Sequence, residues 1–107
     1  MKEQRFTKMD RTLFKNKIAD WQESYMDRIN KEYIELLNED ANPSEKFWRL
    51  DKRIKEDRKK TGVQLEMSRS KLINNIISLI NDGAISLENL EGFSDELKET
   101  VSVFVKR

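Results

Sequence analysis

The chain contains no cysteine and no histidine among its 107 residues. Without cysteine there is no disulfide, no thiolate nucleophile and no cysteine-based zinc site. Without histidine the usual general base, the proton shuttle and the commonest metal ligand are missing together. Proline occurs once and glycine three times. So few turn-formers disfavour a β-sandwich and suit continuous helices. No apolar run approaches the ~18 residues of a membrane span, and Met1-Lys-Glu-Gln-Arg5 is followed by no apolar stretch of a signal peptide. A soluble, cytoplasmic protein is expected, with residues 1–107 forming one domain around a single modest core.

Charge is abundant instead. Asp, Glu, Lys and Arg make up 38% of the chain, yet the net charge is only +1. That total conceals alternating blocks: residues 1–17 carry +4, residues 20–40 carry −5, residues 46–60 carry +5 and residues 81–100 carry −5. In an antiparallel arrangement the acidic 20–40 segment would lie beside the basic 46–60 segment and neutralise much of it. Surface ion pairs contribute only ~0–1 kcal/mol each, so they would select a packing register more than they would stabilise it.

Apolar periodicity predicts an all-α bundle of about four helices, at 10–38, 43–61, 69–82 and 94–106, with a short helical turn near 87–91. Phe14, Ile18, Trp21, Tyr25, Ile29, Tyr33, Leu36 and Leu37 recur every three or four positions in the first helix. Met26 and Leu37 widen that stripe to about 160°, enough to touch two neighbours. Asn42-Pro43-Ser44-Glu45 restarts the chain as the second helix, with an N-cap followed by proline at the first helical position, and Gly62 stops it. Val63-Gln-Leu-Glu-Met67 alternates as a short strand or an extended linker does. Ser68 or Ser70 then caps the third helix, in which Leu72, Ile73, Ile76, Ile77, Leu79 and Ile80 again span about 160°. Asn81-Asp-Gly83 ends it, Ser86 caps a turn holding Leu87 and Leu90, and Gly92 breaks that turn. Ser94 opens the last helix, with Asp95 and Glu96 favourably placed against its dipole and Leu97, Val101, Phe104 and Val105 on its inner side.

The second helix carries the main functional signal. At about 100° per residue Phe47, Leu50 and Ile54 share one narrow stripe, while Lys46, Arg49, Lys52, Arg53, Lys55, Lys59 and Lys60 fan over the opposite side. Trp48 falls within that fan. A cationic face holding an indole suits an acidic protein surface or a nucleic-acid backbone. The candidate partner-binding residues are therefore Trp48, Arg49, Lys52, Arg53, Lys55 and Lys59. The bland alternative is a solvated face with Trp48 buried against a neighbouring helix.

Catalytic signatures are missing. The chain has no glycine-rich phosphate loop, nucleophile elbow or calcium loop. Glu32, Glu35, Glu39 and Asp40 cluster near the end of the first helix, and paired carboxylates can bind Mg²⁺ or perform acid–base work. In a segment that is acidic throughout they read as a solvated surface, so no enzyme, metal or cofactor is expected. A helix-turn-helix unit over 79–90 would place Glu88 and Glu91 against DNA phosphates, which would repel them. A ribbon-helix-helix unit would use Val63, Leu65 and Met67 inward and Gln64, Glu66 and Ser68 toward bases. There Glu66 would face the groove and Gly92 would interrupt the second helix. Contact through the basic second helix alone asks only for phosphate attraction.

Two stretches carry a resemblance. Ser78 to Phe93, read as helix, glycine turn, Ile-Ser and acidic helix, resembles the short C-terminal oligomerisation hairpins of many bacterial proteins. Glu45 to Leu97, opening on Glu-Lys-Phe-Trp and closing on Phe-Ser-Asp-Glu-Leu, is similar to small uncharacterised proteins of Gram-positive bacteria, their phages and mobile elements. That likeness covers about half the chain and implies no assigned activity. By analogy of origin it suggests a protein that blocks a host machine, as anti-CRISPR proteins do. The expectation is a cytosolic helical adaptor or inhibitor whose core comes from the first, third and fourth helices. The alternatives are nucleic-acid binding by the same face, and a structural homodimer in which the wide stripes of helices one and three bury each other.

Overall fold

The computed structural model describes residues 8–66 and 71–105. Its order is α1 (Lys8–Leu37), α2 (Pro43–Asp57), α3 (Leu72–Asn81), a 3-10 turn (Leu87–Leu90) and α4 (Asp95–Phe104). The fold is all-α, and no strand occurs among the described residues. The molecule is drawn out to 57 × 25 × 22 Å because α1, at 30 residues, runs about 45 Å. It serves as a spine for two separate partners.

The N-terminal half of α1 meets α3, the 3-10 turn and α4. Phe14 and Ile18 pack there with Leu72, Ile76, Leu79, Ile85, Leu90, Phe93, Leu97 and Val101 in one cluster. Burying each such side chain stabilises the fold by roughly 1.5–3 kcal/mol. Trp21 closes the cluster's edge, edge-on to Phe14 at 6.0 Å and stacked near Phe93 at 6.4 Å. The wide apolar stripes of α1 and α3 are thus used against each other within one chain.

The local signals mostly act as read. Pro43 occupies the first turn of α2 and Asn42 is extended before it, although its side chain makes no cap hydrogen bond. At the end of α3, Gly83 takes φ +84°, a left-handed conformation that costs glycine no Cβ clash. It lets Ala84 N–H reach Leu79 O at 2.8 Å and Gly83 N–H reach Ile80 O at 3.0 Å, which satisfies two terminal carbonyls. Ser86 and Asn89 form a reciprocal capping box on the 3-10 turn. Leu90 is buried under that turn while Leu87 is exposed.

Some details differ from the periodicity. α2 ends at Asp57 instead of 61, as the backbone tightens to bonds from Lys59 N–H to Glu56 O and Lys60 N–H to Asp57 O. That turn brings Gly62 back against α1. Residues 64–66 form no regular structure, so the alternation begun at Val63 is a linker there; Met67, Ser68 and Ser70 lie outside the described residues. Asn75 Nδ2 holds this linker by donating to Glu66 O at 2.8 Å, and Leu65 packs on the core cluster. Phe104, expected on the inner side of α4, is exposed. The helix ends at that residue, and Val105 is already extended.

Candidate functional site

α2 contributes nothing to the central apolar cluster and packs on the C-terminal half of α1, antiparallel to it. Polar groups hold the pair. Tyr33 Oη donates to Asp57 Oδ2 at 2.6 Å. The Arg53 guanidinium lies over the Tyr33 ring, 5.3 Å from its centroid, and donates to Glu32 Oε1 at 2.8 Å and Asp57 Oδ2 at 3.3 Å. Arg49 bridges Glu39 Oε1 at 3.0 Å and Glu45 Oε2 at 2.8 Å. The acidic and basic blocks therefore lie side by side, with Glu32 and Glu39 taking arginines.

The turn after α2 is fastened at the middle of α1. Gln22 Nε2 donates to Thr61 O at 3.1 Å, and Thr61 N–H donates to Asp82 Oδ2 at 3.0 Å. Gly62 is seated so closely on Tyr25 that a Cβ there would stand 2.4 Å from the ring. Arg28 lies 5.3 Å from the centroid of the same ring and donates to Gly83 O at the C-terminal end of α3, where positive charge complements the helix dipole.

This arrangement shifts three groups. Burial first, then the hydrogen bond to Asp57 and its negative charge, push the Tyr33 phenol up to about 12. Burial, followed by the charge of Asp57, raises Tyr25 as well. The hydrogen bond to Glu32 keeps Arg53 more firmly protonated than an ordinary arginine.

The six sequence-selected residues thus divide into two sets. Arg53 is engaged with Glu32 of α1 and Asp57 in the last turn of α2, and Arg49 with Glu39 in the turn after α1 and Glu45 in the first turn of α2, so they position the helix more than they display charge. Trp48, Lys52, Lys55 and Lys59 face outward. Lys55 pairs with Asp51 one turn back at 3.0 Å, while Lys52 and Lys59 make no ion pair among the described residues. Trp48 is 64% exposed and not buried against a neighbour. It stands edge-on to Phe47 at 4.9 Å.

The narrow apolar stripe that Phe47, Leu50 and Ile54 share on α2 is largely turned to solvent. Phe47 is 61% exposed and Ile54 37%, with Leu50 half-buried between them. The inward places of the stripe are taken by Arg53 and Asp57, whose polar partners lie on α1. Ile34 and Leu37 of α1 are exposed too, at 57% and 42%. Ile34 sits about 140° around the α1 wheel from Ile29. A lone apolar residue so far off the stripe was the signal available in the sequence.

Elsewhere, an open hollow lined by Lys8, Met9, Thr12, Leu13, Asn16 and Gly92 brings together no set of groups able to do chemistry. Among the described residues no cluster of three carboxylates is arranged to hold a metal ion, and no helix is long and apolar enough to cross a membrane. Comparison of the chain with protein families, with curated proteins and with solved structures finds no match.

Proposed function

We propose that this chain is a small non-enzymatic adaptor or inhibitor that docks on an acidic protein surface through α2. Trp48 and Phe47 form the apolar anchor, and Lys52, Lys55 and Lys59 the basic rim. The observation that supports this reading is the exposure of an aromatic pair on a helix that adds nothing to the core. An aromatic side chain displayed beside lysines matches the composition of interface anchors, where tryptophan and tyrosine carry much of the binding energy. By analogy of origin with small phage and mobile-element proteins, such docking would block a host machine.

Nucleic acid is the second reading, favoured by one feature: Lys52 and Lys59 without ion-pair partners beside an exposed indole on which a base can stack. Two variants of the tagged full-length chain, recovered from its native host, separate the readings. Trp48→Ala is expected to release a protein partner with a loss of on the order of 2 kcal/mol or more, while Lys52→Ala with Lys59→Ala produces a smaller, salt-dependent loss. Capture that is abolished by nuclease, with log K falling against log salt at a slope of roughly −3 to −5, assigns the face to nucleic acid instead. Unchanged capture by both folded variants means that the face is only solvated.

A further inference from the structure

The outward faces of α2 and α4 carry the same pattern with opposite charge. Counted from Leu50, Trp48, Lys52 and Lys55 fall at about 160°, −160° and 140°, on the side away from Arg53 and Asp57, which turn to α1. All three are exposed. Counted from Leu97, Val103, Glu99 and Glu96 fall at about −120°, −160° and −100°, away from the buried Leu97 and Val101. These are exposed as well, Val103 at 72%. Each helix therefore shows solvent a row made of one apolar side chain and two like charges.

The two rows match when one is read backwards. Along α2, Trp48 is followed four residues on by Lys52 and three further by Lys55; back along α4, Val103 is preceded four residues earlier by Glu99 and three earlier still by Glu96. Antiparallel helices laid row on row therefore set Val103 against Trp48, Glu99 against Lys52 and Glu96 against Lys55 in a single register. Lys52, Glu96 and Glu99 make no ion pair among the described residues, and Lys55 has only Asp51 at 3.0 Å. Asp51 and Glu56 border the α2 row on its two sides, and Asp95 and Lys98 offset each other beside the α4 row at 3.9 Å. Both rows point away from the body of the molecule, so their meeting needs two copies. The outward face of α1 offers a rival row of the same spacing, Asp20, Glu23 and Asp27. It would put the Asp27 carboxylate, already paired with Lys31 at 3.4 Å, against the Trp48 indole, where α4 offers an apolar side chain.

We infer that α2 of one copy docks antiparallel on α4 of a second copy, with Trp48 against Val103 and Lys52 and Lys55 against Glu99 and Glu96. This rests on the docking reading above and names an acidic surface that α2 accepts, the chain's own last helix. The two surfaces differ, so each joined copy keeps one free face and association continues head to tail instead of closing as a symmetric dimer. With about two turns of each helix in contact and exposed ion pairs between them, the assembly is weak and salt-sensitive.

The test is sedimentation of the full-length protein up to roughly 500 µM. In ~20 mM salt the average mass is expected to rise with concentration past that of a dimer, and in ~300 mM salt to fall back toward the monomer. Lys52→Ala with Lys55→Ala, and separately Glu96→Ala with Glu99→Ala, are each expected to weaken association about tenfold with helix content unchanged. An equimolar mixture of these two variants is expected to form heterodimers that grow no further, since one brings the intact α4 and the other the intact α2. Asp20→Ala with Glu23→Ala is expected to associate as wild type does. A monomer under all conditions, association that the Glu96 and Glu99 changes leave intact, or association that the Asp20 and Glu23 changes abolish overturns the inference. If the chain stays monomeric while a host partner is still released by Trp48→Ala, the self-docking is wrong and the docking reading stands. If Trp48→Ala also releases no partner, both fall.

Discussion

Asp10 accepts two hydrogen bonds from Ser94, which follows it by 84 residues: one from the Ser94 amide at 2.8 Å and one from its hydroxyl at 2.6 Å. The same hydroxyl oxygen accepts from Leu97 N–H at 3.1 Å as the N-cap of α4. Asp10 is 2% exposed, so a buried carboxylate at the start of α1 orients the cap of the last helix and sits near its positive dipole end. The two ends of the described chain are joined through this pair.

Ser94→Ala removes both the cap and a donor to Asp10, and is expected to cost about 1–3 kcal/mol in urea unfolding. Asp10→Ala leaves the Ser94 amide without that acceptor and is expected to cost a similar amount. The double variant should lose less than the sum of the two. Strict additivity would mean that the two residues act independently.

Gly62→Ala tests a close approach. Its Cβ would stand 2.4, 2.6 and 2.9 Å from atoms of the Tyr25 ring, and that ring is buried and cannot swing clear. A loss of about 1–3 kcal/mol is expected, read as a lowered melting temperature. Tyr25→Leu in the same chain should recover part of it. Full wild-type stability of the single variant would contradict the packing.

Alkaline pH should loosen α2. Tyr33 rises from 10.0 to about 12 in the folded protein, so folding favours its protonated form. The stabilisation is complete below pH 10 and is lost as pH climbs from 10 through about 12. Tyr33→Phe should be less stable than wild type at neutral pH and should show a weaker decline over that window. Parallel curves for the two proteins would show that another group governs it.

Stability and docking should separate by position. Ile76→Ala and Leu90→Ala each remove a side chain with no exposure, at an expected cost of 2 to about 5 kcal/mol. Trp48→Ala should stay within about 0.5 kcal/mol of wild type. A large destabilisation by Trp48→Ala would place the indole in the fold and remove it from the docking face.

Helix positions were legible because they depend on local periods and caps. Ser94, Ser86, Pro43 and Gly83 act within one turn of themselves, so their roles follow from their neighbours in sequence. The central cluster was legible for a related reason, since stripes as wide as those of α1 and α3 must find a large apolar surface. Of the candidate site, wheel geometry selected Trp48, Lys52, Lys55 and Lys59, all of which are exposed, and with them Arg49 and Arg53, which are engaged with carboxylates of this chain.

By itself, then, the sequence determined an all-α chain, the stop and start signals of its helices, and the juxtaposition of an acidic and a basic block. Which flank of the second helix would face inward was a tertiary decision. A helical wheel ranks residues by hydropathy alone and therefore places Phe47 and Ile54 inside. The folded pair instead turns Arg53 and Asp57 toward Glu32 and Tyr33, because Tyr33 and the carboxylates on that side of α1 offer hydrogen-bond partners that these groups need once half-buried. The apolar residues Phe47 and Ile54 of α2 are turned toward solvent as a consequence. No pattern within either helix encodes that neighbourhood, since it exists only once the two are laid against each other.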